Sequence, residues 1–221
     1  MKSRLLKGVL LSTTLLFVAV VSAIAQNVVY DNTADANNRN TFYSSANIFG
    51  DQVTLVGTDR ILSQFSIYYY FNGTAPSGTG VIRLYDNTGA GGAPGNLLYD
   101  GSSDPFTLQP NPGGGFRSTE TINFPVSANV VLPDTFTWTI QFSNLGANQA
   151  GLLVYSPPAV GTSFNDFWED VGGTWTPMQL GGGFNDFAAY VTAVPEPSTL
   201  ALGALGFLAW AGIARYRKLR G

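Results

Sequence analysis

The chain reads as all-β: a single sandwich or jelly-roll-like domain over residues 26–193, with a hydrophobic segment on either side. Three observations predict this. Phe136, Trp138, Ile140 and Phe142 alternate with Thr135, Thr137, Thr139 and Gln141, a period of two that gives one buried and one wet face. Short β-branched and aromatic runs recur between clusters of Gly, Pro and Asn, as strands separated by tight turns do. No amphipathic helix of useful length breaks the series, so a helix-on-sheet architecture has no helices to build it.

Taken in order, residues 1–25 have the form of an export signal. Lys2, Arg4 and Lys7 make a basic start, residues 8–21 an apolar stretch, and Ala23-Ile24-Ala25 a small-x-small cleavage site that leaves Gln26 first in the mature chain. Strands are then expected at 28–30, 52–56, 60–71, 81–85, 97–99, 120–124, 130–132, 135–142, 151–155, 175–179 and 187–192. In the longest, Ile61, Phe65, Ile67, Tyr69 and Phe71 share one face, with Ser63 the polar exception. Turn-rich stretches fill 72–80, 86–96 and 109–115. Phe164-Asn165-Asp166-Phe167 recurs as Phe184-Asn185-Asp186-Phe187. In each copy Asn-Asp is expected to start a turn from which the second Phe enters a strand. Two copies fall short of a solenoid, which needs about three.

Composition narrows the chemistry. Residues 26–193 are enough for one domain and hold thirteen acidic residues, four arginines (Arg39, Arg60, Arg83, Arg117) and no lysine. Such a surface argues against nucleic acid as a partner. The chain has no Cys, so no disulfide holds the exported domain together, and no His. Ser-His-Asp triads, Cys-His pairs and imidazole or thiolate metal sites are thereby excluded. Gly, Ala and Pro at 89–95 make no nucleotide loop, since no Gly-Lys-Ser/Thr follows.

Residues 194–221 form the second hydrophobic segment. Val194-Pro195-Glu196-Pro197-Ser198-Thr199 precedes an uncharged run from Leu200 to Ala214, and Arg215, Arg217, Lys218 and Arg220 follow. The prolines hold the segment before Ser198 extended. A helix from Ser198 to Ala214 would span roughly 26 Å, near the lower limit for a hydrocarbon core of roughly 30 Å. The basic residues can snorkel to the headgroups and, by the positive-inside rule, place the tip in the cytoplasm. Pro195, Glu196 and Pro197, the apolar run and the basic end together resemble the PEP-CTERM sorting signal of Gram-negative bacteria. That resemblance implies recognition by an exosortase, a membrane cysteine transpeptidase, cleavage near the motif, and delivery to the cell surface or an extracellular polysaccharide matrix. It implies destination and processing, and no activity for residues 26–193.

Within the core, Asp166, Trp168, Glu169, Asp170 and Trp175 gather three carboxylates and two indoles. Indole faces stack on sugar rings and carboxylates accept their hydroxyls, so Trp168, Trp175, Asp166 and Glu169 are the candidate carbohydrate contacts. Asp166 and Glu169, or Glu120, are the residues an acid–base mechanism on a glycosidic bond would use, given a separation of about 5–5.5 or 6.5–9.5 Å. The plain alternative is a solvated acidic turn beside packed tryptophans. Calcium has two candidate oxygen sets, Asp86, Asn87 and Asp100, or Asp166 and Asp170. An Asx-turn explains the first equally well. The leading expectation is a non-catalytic protein of the cell surface or matrix, associated with exopolysaccharide. A carbohydrate-active enzyme and a calcium-dependent, carbohydrate-binding adhesin are the alternatives.

Overall fold

The computed structural model describes residues 26–34, 41–111, 116–181 and 186–196, together with Gly206 and Trp210. Thirteen strands are described: β1 (Asn27–Asp31), β2 (Phe42–Tyr43), β3 (Phe49–Thr54), β4 (Ile61–Phe71), β5 (Thr79–Asp86), β6 (Leu97–Asp100), β7 (Phe106–Thr107), β8 (Ser118–Asn123), β9 (Thr135–Ser143), β10 (Ala150–Leu153), β11 (Thr162–Val171), β12 (Thr174–Met178) and β13 (Ala189–Val194). They form two sheets. One runs β1-β13-β4-β10-β2, with β8 also on β4; the other runs β12-β11-β3-β9-β5-β6, with β7 also on β5. Every strand pairing is antiparallel, as an architecture without crossover helices requires.

Cross-sheet aromatic contacts join the layers. Phe65 of β4 meets Trp138 of β9 edge-on, with ring centroids 5.5 Å apart. Phe49 of β3 meets Phe187 at 5.7 Å, and Phe187 meets Phe167 of β11 at 5.2 Å. All five rings are buried. Burying one such side chain contributes about 1.5–3 kcal/mol, which is how this disulfide-free domain holds its layers together. Ser63 keeps its place on the buried face of β4 because its Oγ pairs with Thr192 Oγ1 of β13 at 2.8 Å.

Several expected elements differ. The strand expected at 52–56 begins at Phe49 and ends at Thr54; beyond it, the Leu55 and Val56 amides bond to Asp134 and Val29 carbonyls. Residues 130–132 make only an isolated bridge at Val131, because Pro133 cannot donate to a ladder. Pro177 is tolerated inside β12 because β12 is an edge strand. Phe164 to Phe167 lies within β11, where the pairing with β3 slips between Ser163 and Phe167; it is not a turn. The wet face expected on β9 is dry at its centre: Thr137 and Thr139 are both buried.

Residues 1–25, including Ala23 and Ala25, lie outside the described residues. So do Pro197, Leu200, Ala214, Arg215, Arg217, Lys218 and Arg220. Gly206 and Trp210, within the expected helix, are helical and exposed. Among the described residues no helix is long and apolar enough to cross a membrane.

Candidate functional site

Strand parity divides the acidic–aromatic cluster of β11. Phe167 and Glu169 are directly opposite Asp51 and Phe49, on the inward side, whereas Trp168 is opposite Gly50 on the outward side. Gly50 is required there: a Cβ would collide with the Trp138 carbonyl and Thr139 Cα of the neighbouring strand. Trp168 lies along this face, donating from Nε1 to Gln52 Oε1 at 3.0 Å. At 9 % exposure it presents no open ring face to a ligand.

Glu169 has a different environment. It is 4 % exposed and accepts hydrogen bonds from Tyr43 Oη at 2.7 Å, Asn47 Nδ2 at 2.8 Å and Ser45 Oγ. Burial pushes its pKa up, but the bonds from Ser45, Tyr43 and Asn47 outweigh this and hold the carboxyl below its usual range. Burial and the neighbouring carboxylate in turn push the Tyr43 phenol up to about 12. An ionised acid with both oxygens engaged ties residues 43–47 to β11. Asp166 is half-buried in the irregular stretch before Phe167.

Trp175 pairs with Asp170 across the β11–β12 hairpin, and its ring meets Tyr85 of β5 edge-on at 5.6 Å. Tyr85 faces outward, opposite Thr137 of β9. The hairpin therefore reaches the outer face at Tyr85, beside the buried Thr137, whose hydroxyl donates to Asn87 Oδ1 at 3.4 Å. Around the half-buried Trp175–Tyr85 pair stand Arg83, which donates to Asp100 Oδ1 at 3.1 Å, and Gln141. Thr139 Oγ1 and Asp170 Oδ1 are buried there without hydrogen-bond partners. An open depression of about 390 Å³ lies elsewhere, beside Ser44, Ser45, Asn144 and Gln149.

In the first calcium set the Asp86 and Asp100 carboxylates are taken by protein donors, whereas in the second Asp170 keeps its buried, unpartnered Oδ1. Asp86 accepts from Thr88 N, Thr88 Oγ1 and Asn96 N through Oδ1 and from Asn96 Nδ2 through Oδ2. Bonds from Thr88 and Asn96 pull its pKa down to about 2, the behaviour of an Asx-turn acceptor. Asp100 accepts from Ser102 N and Arg83 Nε. Glu120 of β8 is half-buried opposite Ile67, on the other sheet from the tryptophans, and burial raises its pKa.

The C-terminal feature is set by β13, which lies between β1 and β4 and ends at Val194. Pro195 and Glu196 follow at once, exposed. An antiparallel sandwich whose last described strand leads directly into an exposed Pro-Glu step has the form of a folded body with an accessible C-terminal tag. Residues 193–218 match the family model for the PEP-CTERM protein-sorting motif. That motif supports an exported protein that is processed by an exosortase and passes through a membrane-anchored sorting intermediate. No curated protein and no solved structure matches the chain.

Proposed function

We propose that the protein is a non-catalytic component of the cell surface or extracellular matrix, retained there by contact with exopolysaccharide. The observation that carries the reading is the sorting motif joined without a spacer to β13. The sandwich is then the cargo that the motif delivers. Absence of catalysis is supported by the chain's lack of His and Cys and by the donors that occupy Glu169. Sugar contact falls to the Trp175–Tyr85 pair. These half-buried rings are flanked by the planar polar groups of Arg83, Asp100 and Gln141, a combination that suits a sugar's apolar face and hydroxyl rim.

The test is co-sedimentation of the purified full chain with exopolysaccharide from the producing cells, followed by assay for released reducing sugar. The parent protein sediments with the polymer, Trp175→Ala stays in solution, and no sugar is released. Equal sedimentation of parent and variant would remove the aromatic pair from the contact. Release of sugar by the parent would establish an enzyme instead.

A further inference from the structure

The sandwich interior is polar in one place. Tyr30 of β1, Asn32 just beyond it, Asp51 of β3, Ser163 of β11 and Asp186 ahead of β13 converge there. Tyr30, Asn32, Asp51 and Asp186 are each at most 3 % exposed. Ser163 is the hub. Its hydroxyl donates to Asp51 Oδ2 at 2.8 Å and lies beside both Tyr30 and Asp186. The Phe187 amide donates to the same Asp51 oxygen at 2.9 Å. Asn32 Nδ2 donates to the Tyr155 and Phe187 carbonyls at 3.0 and 3.1 Å, which fixes the amide and leaves Oδ1 as its other end.

After these bonds four buried oxygens have no hydrogen-bond partner: Tyr30 Oη, Asn32 Oδ1, Asp51 Oδ1 and Asp186 Oδ1. The last three only accept once the aspartates are ionised. Among the described residues no arginine answers them. Arg60 pairs with Asp134, Arg83 with Asp100, and Arg117 lies over the Tyr68 ring. With both aspartates ionised, the Tyr30 hydroxyl is the one donor among these four atoms, and two buried carboxylates with no positive charge beside them are unfavourable. Burial, followed by other effects including the charge of Asp186, pushes the Asp51 carboxyl well above its usual range, and burial does the same to Asp186.

We propose that this pocket binds a calcium-class divalent cation through Asp51 Oδ1, Asp186 Oδ1 and Asn32 Oδ1, with the Tyr30 and Ser163 hydroxyls at its margin. One divalent ion neutralises both carboxylates. All the donors are hard oxygens, and calcium accepts an irregular set completed by water, whereas magnesium demands near-octahedral geometry and keeps most of its water. No cluster of three or more metal-ligating acidic, His or Cys side chains forms among the described residues. Two carboxylates place the affinity in the extracellular-module range, about 10⁻⁴–10⁻³ M. The bound ion would link β1 and the segment before β13 in one sheet region to β3 and β11 in the other. It would thus cross-link the two layers of an exported domain that has no disulfide.

The experiment uses the full chain, stripped with chelator, in two measurements: thermal unfolding against added calcium or magnesium, and terbium luminescence excited through tyrosine. Calcium should raise the melting temperature saturably, with a midpoint of about 10⁻⁴–10⁻³ M, and magnesium at equal concentration should not. Terbium emission should appear and be displaced by calcium. Asp51→Asn and Asp186→Asn should lose both responses, while Asp86→Asn keeps them. If Asp51→Asn does not fold, Asp186→Asn decides alone. A parent with no calcium shift and no terbium emission, or responses that survive in Asp186→Asn, would overturn the proposal, leaving a shared proton as what reconciles the two acids.

Discussion

Replacing Glu169 tests whether strand parity or sequence proximity governs the acidic–aromatic cluster. The carboxylate is buried and holds Tyr43, Ser45 and Asn47 against β11, more than 120 residues away along the chain. A hydrogen bond to a charged group contributes about 1.5–3 kcal/mol. Tyr43 and Ser45 are half-buried and Asn47 is exposed, so water replaces part of what is lost. Glu169→Ala should therefore cost about 2–4 kcal/mol. For a domain of this size that lowers the melting temperature by about 5–12 °C, read by calorimetry or circular dichroism. The sign with pH follows from the depressed pKa. Stability from the ionised carboxylate is present above the unfolded value of about 4.3 and is lost as pH falls through the lower folded value. The gap between parent and variant should thus be open at pH 7 and close on acidification below about pH 4. A variant melting within about 1 °C of the parent at pH 7 would refute the reasoning.

Two further outcomes are expected. In chelator, where Asp51 and Asp186 have raised pKa values, the native state binds protons more readily than the unfolded chain above about pH 4. Stability from these groups should rise as pH is lowered from 7 towards 5, and calcium should flatten that slope; urea unfolding at the two pH values checks it. The processed form isolated from producing cells should retain Val194, because cleavage upstream would remove β13 from between β1 and β4. Intact-mass analysis showing a C-terminus before Val194 would contradict this.

The sequence determined the fold class, because period-two alternation and turn residues are local properties: β4 and β9 lie close to where their patterns placed them. It also determined the C-terminal motif, which is read as linear chain and now has its family match. Tertiary structure decided what pairing and burial decide. Thr137 and Thr139 are buried beside Tyr85 and Arg83 of β5, neighbours distant in sequence that no alternation pattern encodes. Trp168 and Glu169, adjacent in the chain, lie on opposite faces by the pleat of β11, and its pairing with β3 turned Glu169 inward. Tyr30, Asn32, Asp51 and Asp186 carry no spacing that signals a site. Their oxygens are brought into one buried region only because β1, β3 and the approach to β13 meet there.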